Sequence, residues 1–95
     1  MLMIIKSAPE TPEGKRGIKL ATYMSADIVL LQNGVYFMQG QKLGDAGFTG
    51  KTYVLEDDRL FRGLKADNDN KTIQGINYDG LVDVMAEHDS VIGML

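Results

Sequence analysis

Apolar residues along the chain fall into three short runs separated by polar and glycine-rich stretches. The runs are MLMII at residues 1–5, DIVLL at residues 27–31 and KTYVL at residues 51–55. Nearly continuous apolar runs of this length are typical of strands buried on both faces, as in a parallel sheet covered by helices. A weaker fourth strand is predicted over residues 72–77 and a short fifth strand over residues 91–95.

Helix signals alternate with these strands. Thr11 can cap the free amides of a helix start, and Pro12 suits the first helical position. Gly63 is a natural C-terminal stop, and Asp79 is the predicted cap of the last helix. The predicted helices cover residues 12 to 23 or 24, 35–38, 58–62 and 80–88. The glycine-rich residues 40–50 and the polar residues 65–71 are predicted as loops.

The order of these elements predicts the fold class. A strand followed by a helix, repeated four times with short connections, is typical of an α/β protein with a parallel sheet. We therefore predict a single three-layer domain over residues 1–95, with a sheet of four to five strands and helices on both faces. The first two strands should lie inside the sheet, because a solvated edge strand does not tolerate an unbroken apolar run.

Composition and charge exclude several functions. With 0 Cys, the chain has no disulfide, no thiolate metal ligand and no cysteine that can act as a nucleophile or carry a persulfide. A net charge of −3 makes it a poor stand-alone binder of nucleic acid. Lys15, Arg16 and Lys19 form a basic cluster, which we interpret as a solvated helix face. The apolar run at residues 1–5 is too short for a signal peptide or a membrane span, so we expect a cytoplasmic protein.

Motifs for catalysis or cofactor binding are incomplete in the sequence. The glycines between residues 40 and 50 form neither a dinucleotide-binding fingerprint nor a P-loop. A single histidine, His88, cannot build a zinc site, and we interpret it as a capping or packing residue. The acidic residues 56–58 are interpreted as a solvated helix start. We therefore expect no catalytic residue, no metal and no cofactor.

A candidate pocket lies where predicted strands end. Gln32, Asn33 and Gly34 follow the second strand, and Asp57 follows the third. Ligands of open α/β sheets bind outside the carboxyl ends of the strands, so these side chains could line a small polar pocket. The alternative is that Asn33 and Gly34 only make a turn, with the glycine supplying a positive φ.

A candidate interface follows directly. Val35, Tyr36, Phe37 and Met38 are four consecutive apolar residues. On a helix they point in directions about 100° apart, so one sheet cannot cover them all. Apolar side chains left in water mark interaction sites, and this segment is predicted to be a subunit interface. The alternatives are that the segment is a strand or that residues 40–50 fold back over it.

Three phrases carry a resemblance to a known family. They are VLLQNGV at residues 29–35, YVLEDDRLFRGL at residues 53–64 and INYDGLVDVM at residues 76–85. With the chain length, the ML start and the strand spacing, they resemble the DsrE/DsrF/DsrH family of sulfur-relay proteins. The resemblance covers most of the chain and is strongest to the DsrH/TusB branch.

The resemblance implies a small oligomeric α/β protein. TusB-like members work with cysteine-bearing DsrE/TusD-like and DsrF/TusC-like subunits, which pass persulfide sulfur toward 2-thiouridine at the wobble position of tRNA. DsrH-like members work in a related complex in sulfur oxidation and have a cysteine in the first helix. This chain lacks that cysteine, so the resemblance implies a non-catalytic, TusB-like subunit. The alternative is a homo-oligomeric small-ligand-binding or regulatory module of the same fold, outside sulfur transfer. Neither direct nucleic-acid binding nor a membrane is expected.

Overall fold

One parallel sheet of five strands organises the computed structural model, which describes residues 1–65 and 73–93 of the chain. The strands are β1 (Leu2–Ile5), β2 (Asp27–Leu30), β3 (Thr52–Leu55), β4 (Ile73–Ile76) and β5 (Val91–Ile92). Their spatial order is β4-β3-β2-β1-β5, and every neighbouring pair is parallel. The predicted fold class is confirmed, and the two strands predicted to be internal, β1 and β2, are internal.

Helices lie on both faces of this sheet. They are α1 (Pro12–Tyr23), a 3₁₀ helix (Gln32–Met38), α2 (Lys42–Asp45), α3 (Glu56–Phe61) and α4 (Tyr78–Glu87). The chain moves outward from β1 to β4 and then returns across the sheet to β5. Because parallel crossovers are right-handed, the earlier connections lie on one face and α4 lies on the other. This reversal produces the three layers.

Two apolar clusters fill the spaces between the layers. The larger cluster lies between the sheet and the elements from α1 to α2. Its members include Met3 and Ile5 of β1, Ile18 of α1 and Leu43 of α2. The smaller cluster lies under α4 and contains Leu2, Val29, Tyr53, Ile76 and Val84. Leu2 therefore belongs to one cluster and Met3 to the other, and both faces of β1 are buried, which explains why the strand has no polar position.

Several predicted boundaries shift in the structure. The side chain of Thr11 accepts a hydrogen bond from the N–H of Gly14 at 3.0 Å, so the predicted cap of α1 is confirmed. The cap of α4 is Asn77 rather than Asp79: the Asn77 side chain accepts from the N–H of Gly80 at 2.8 Å, and the helix begins two residues earlier than predicted. α3 likewise begins at Glu56 rather than at residue 58.

The predicted loops have two different outcomes. The glycine-rich residues 40–50 contain the short helix α2 instead of being loop throughout. Residues 66–72 of the predicted polar loop and fourth strand lie outside the described residues. Residues 94 and 95 of the predicted fifth strand also lie outside them.

Candidate functional site

The carboxyl ends of β2 and β3 are joined by a polar network. The backbone N–H of Gln32 donates to a carboxylate oxygen of Asp58 at 2.7 Å. Arg62 donates from Nε and from Nη2 to Oδ1 of Asn33, both at 3.1 Å, and its Nη1 lies 3.9 Å from the Asp58 carboxylate. Two of the predicted pocket residues therefore lie at the predicted edge, but they contact Asp58 and Arg62. Asp57, the acidic residue chosen from the sequence, is exposed.

The turn at residues 32–34 differs from the one predicted as the alternative to a pocket, in which Gly34 supplies a positive φ. The positive φ belongs to Gln32, at 49°, and not to Gly34. Gly34 is needed for a different reason, because a Cβ at this position would lie 2.2 Å from the carbonyl oxygen of Ile5. Its N–H donates to the carbonyl oxygens of Leu31 and Lys6 at 2.8 and 3.1 Å. The glycine thus lets the 3₁₀ helix pack directly on the end of β1.

A second set of contacts fixes α3 against the sheet. The guanidinium of Arg59 binds the Glu56 carboxylate, and its Nη1 donates to the carbonyl oxygen of Leu64 at 2.6 Å. The hydrogen bond with Glu56 raises the pKa of Arg59 above its ordinary value. The Glu56 side chain also lies directly over Gly75 of β4. The prediction that residues 56–58 are simply solvated is wrong for Glu56 and Asp58, because both are half-buried and paired.

The predicted interface segment has a large intramolecular role. Val35, Phe37 and Met38 are buried in the larger cluster, and only Tyr36 is half-buried. Leu43 and Phe48, from residues 40–50, belong to the same cluster, so the alternative in which this stretch folds back over the segment describes the structure. The premise that a large aromatic of this segment stays in water was therefore wrong for Phe37. An interface here stays a prediction, and the half-buried Tyr36 is the part of the segment that reaches the surface.

His88 connects the C-terminal end of α4 with the start of β2. Its Nδ1 lies 2.7 Å from the carbonyl oxygen of Val84, and its Nε2 lies 3.0 Å from a carboxylate oxygen of Asp27. The bond to Asp27, with the one to Val84, raises the pKa of His88. Burial alone would raise the pKa of Asp27, but the hydrogen bonds from His88 and from the N–H of Lys51 lower it overall. The histidine packs and caps as its position predicts, whereas its partner Asp27 was missed.

A groove between α1 and α2 was not predicted. Its volume is about 730 Å³, and it is open to solvent. Its lining is mainly apolar with a basic rim, and consists of Pro9, Lys15, Ile18, Lys19, Thr22, Tyr23, Phe37, Lys42, Asp45 and Ala46. The sequence signal was the basic cluster, since Lys15 and Lys19 belong to this lining. The cluster could not reveal the groove by itself, because the opposite wall comes from α2, which was predicted as loop.

Charged side chains at the carboxyl edge of the sheet have a structural role. Glu56 pairs with Arg59 and Asp58 pairs with Arg62, and these contacts hold α3 and the 3₁₀ helix in place. Among residues 1–65 and 73–93, no group of three or more acidic or histidine side chains is arranged to hold a metal ion. Within the same ranges, no helix has the length and apolar character needed to cross a membrane.

Comparisons with known proteins add family information to this geometry. The family model described as DsrH like protein matches residues 6–91. Among solved structures, the chain is similar to the solution NMR structure of protein Tm0979 from Thermotoga maritima, at 28% sequence identity and a TM-score of 0.62. That alignment covers 98% of this chain and 100% of Tm0979. No curated protein matches the sequence significantly.

Proposed function

The chain belongs to the DsrH-like family, whose members are subunits of sulfur-relay complexes, and from this premise we propose that it is a non-catalytic, TusB-like subunit. In this proposal it acts in the cytoplasm and supports persulfide transfer toward 2-thiolation of the tRNA wobble uridine. The family match over residues 6–91 is the observation that carries the proposal.

The chemistry of sulfur transfer supports a non-catalytic role for this chain. A persulfide forms on a thiolate, and the sequence has 0 Cys. The sulfur must then be carried by another subunit, for which we propose a cysteine-bearing protein like DsrE or TusD, with a DsrF/TusC-like subunit beside it. The chain contributes a shaped surface to that assembly and does not itself act as an enzyme.

Apolar side chains next to the carboxyl-edge network supply a surface for such a partner. On α3, Phe61 is 87% exposed and Leu60 is 62% exposed. The same helix is fixed to the 3₁₀ helix and to β4 through Arg62 and Glu56. Large apolar side chains that a rigid helix holds in water are typical of interaction sites. We therefore place the contact with a relay subunit on α3.

Capture of partners from the native host tests this proposal. Tagged wild-type chain should retain a cysteine-bearing DsrE/TusD-like protein, identified by mass spectrometry, and a Phe61→Ser variant should retain less of it. Tyr78→Ser is the matched control, because Tyr78 is also an exposed aromatic residue but lies on α4. Deleting the gene should lower 2-thiouridine in bulk tRNA, and the wild-type gene should restore it. Unchanged 2-thiouridine together with no relay partner would exclude the proposal.

Sulfur labelling tests the non-catalytic role separately. Incubated with a radiolabelled persulfide donor, the purified chain should stay unlabelled, while its cysteine-bearing partner takes up label in the same reaction. Label that stays on this chain after denaturing gel filtration would contradict the assignment.

A second candidate function is favoured by the groove between α1 and α2. A concave site of about 730 Å³ has the size of a small-molecule site, as expected for a homo-oligomeric ligand-binding or regulatory module outside sulfur transfer. A ligand that co-purifies with a homo-oligomer, in the absence of any relay subunit, would favour this second function.

A further inference from the structure

The groove between α1 and α2 joins an apolar interior to a cationic rim. Ile18 and Phe37 form its floor and are themselves almost fully buried, so the apolar walls are set by core packing. Tyr23 stands at the rim with its ring exposed. The volume of about 730 Å³ falls inside the range of about 300–1,000 Å³ found for small-molecule sites.

The rim concentrates positive charge in an acidic protein. Lys15 and Lys19 are one helical turn apart on the same face of α1, and Lys42 faces them from α2. Asp45 is the acidic residue in the lining. Lys42 also lies 3.8 Å from Glu10, but the two side chains are 40% and 72% exposed, and pairs this exposed interact weakly. The lining thus contains three lysines and one aspartate, with the Glu10 carboxylate beside Lys42, in a chain whose net charge is −3.

We propose that this groove binds a small amphipathic anion, a molecule with an aromatic or aliphatic body and a carboxylate, sulfonate or phosphate group. The body would occupy the space above Ile18 and Phe37, and the anionic group would lie between Lys15, Lys19 and Lys42. Charge complementarity identifies the anionic end, and the apolar floor identifies the other. The proposal concerns a site away from the α3 surface, and it does not depend on the sulfur-relay function.

The dimensions favour a small molecule over a protein segment. A stable protein interface buries about 800 Å² on each partner, contributed by about 20–30 residues. The groove is lined by ten residues, and two of its apolar ones are already buried in the core. An open groove of this size has room for a drug-sized molecule but offers a protein partner little new contact area.

A pair of fluorescent probes separates the two ends of the proposed ligand. Anilinonaphthalene sulfonate carries the anionic group, and phenylnaphthylamine has the same ring system without it. We expect the sulfonate to bind the folded wild-type chain at one site, with the largest NMR shifts in α1 and α2, and to bind more weakly as salt is added. The neutral probe should bind more weakly, and salt should not reduce its binding.

Two sets of variants locate the binding. Lys15→Gln with Lys19→Gln should weaken the sulfonate about tenfold and leave the neutral probe unchanged, because two charge-assisted contacts are lost. Lys6→Gln with Lys65→Gln removes the same charge from exposed positions outside the groove and should have little effect. Ala46→Trp fills the groove from its exposed rim and should abolish both probes, whereas Ala86→Trp on α4 should not.

Specific results would overturn the proposal. Equal affinity for the two probes, or a sulfonate affinity that Lys15→Gln with Lys19→Gln does not change, would show that the lysines bind no anion. Light scattering tests a further outcome. If the wild-type chain is an oligomer that binds no probe, and Ala46→Trp dissociates it, the groove is a subunit interface and not a ligand site. If Ala46→Trp loses its circular dichroism signal, the lysine variants and the NMR shifts still decide.

Discussion

Replacing His88 tests how much the link between α4 and β2 stabilises the fold. The imidazole faces two acceptors, the Val84 carbonyl oxygen at 2.7 Å and the Asp27 carboxylate at 3.0 Å. Only the protonated ring has an N–H for each of them. Glutamine at this position keeps a polar side chain of similar length but cannot carry the charge. His88→Gln should therefore destabilise the protein most where the histidine is protonated.

The size of the effect follows from the exposure of the pair. The His88 side chain is 12% exposed and the Asp27 side chain 28%, so solvent screens the pair only partly. Fully exposed ion pairs contribute about 0.2–1 kcal/mol, and hydrogen bonds to charged groups about 1.5–3 kcal/mol. We expect His88→Gln to lower the free energy of unfolding by about 1–2 kcal/mol at about pH 5.5, a loss of roughly 4–15 °C in Tm for a domain of this size.

The direction of the pH dependence follows from the two pKa shifts. The pKa of His88 is raised from 6.5, so its contribution is complete below 6.5 and is lost as the pH rises through the folded-state pKa. The pKa of Asp27 is lowered from 3.8, so its contribution is present above 3.8 and is lost as the pH falls through the folded-state pKa. The difference between wild type and His88→Gln should therefore shrink as the pH is raised toward about 9.

The assay uses the fact that the chain has one histidine. Urea unfolding followed by circular dichroism gives the free energies at each pH, and an NMR titration of the single imidazole gives the pKa without ambiguity. Asp27→Asn should bring the pKa of His88 back toward 6.5, whereas Asp83→Asn, an exposed change on α4, should leave it raised. A His88 pKa at or below 6.5 in the wild type, or one that Asp27→Asn does not lower, would refute the reasoning.

Three further predictions concern the fold and its surfaces. Gly34→Ala should lower the free energy of unfolding in urea by about 1–3 kcal/mol or more, because the new Cβ would overlap the end of β1. Gly44→Ala is the control and should cost nothing, because the nearest atom to its Cβ is on the flexible Gln41 side chain, 3.5 Å away. Amide exchange should be slow at residues 3–5 and 28–31, which belong to or directly follow the internal strands β1 and β2, and equally slow exchange in the edge strand β4 would contradict this. If residues 35–38 contribute an interface, Tyr36→Asp should yield a smaller but folded species by light scattering, and an unchanged mass would exclude it.

Local chemistry explains which parts of the fold were predictable. The apolar runs of β1 and β2 and the Thr11 cap depend on neighbouring residues, and each is found as predicted. Asn77 and Asp79 are both good caps, so local sequence alone does not choose between them, and the helix uses Asn77.

The contacts of the candidate site could be predicted only in part from neighbouring residues in the sequence. Parallel strands end at a common edge, and this rule alone places Gln32 near α3. Which acidic residue of α3 faces inward depends on the rotation of the helix about its axis, and in the structure it is Asp58 and not Asp57. The pair of Asp27 and His88 joins residues 61 positions apart, and no local pattern marks it. Long-range contacts of this kind depend on how the layers are superposed, which one sequence does not reveal.

The return of the chain from β4 to β5 also determines the order in which the strands can pair as the chain is synthesised. β2 and β3 can each pair with the strand made just before them, as can β4, whereas β5 joins β1 only after the chain has been made as far as residue 92. Closing so long a loop is slow, because its entropic cost must be met before the new contacts form. Until then β1, whose four residues are all apolar, has a free edge that is open to strands of other nascent chains. The two residues of β5 therefore cover part of that edge, and a chain that ends before Val91 would lack this cover.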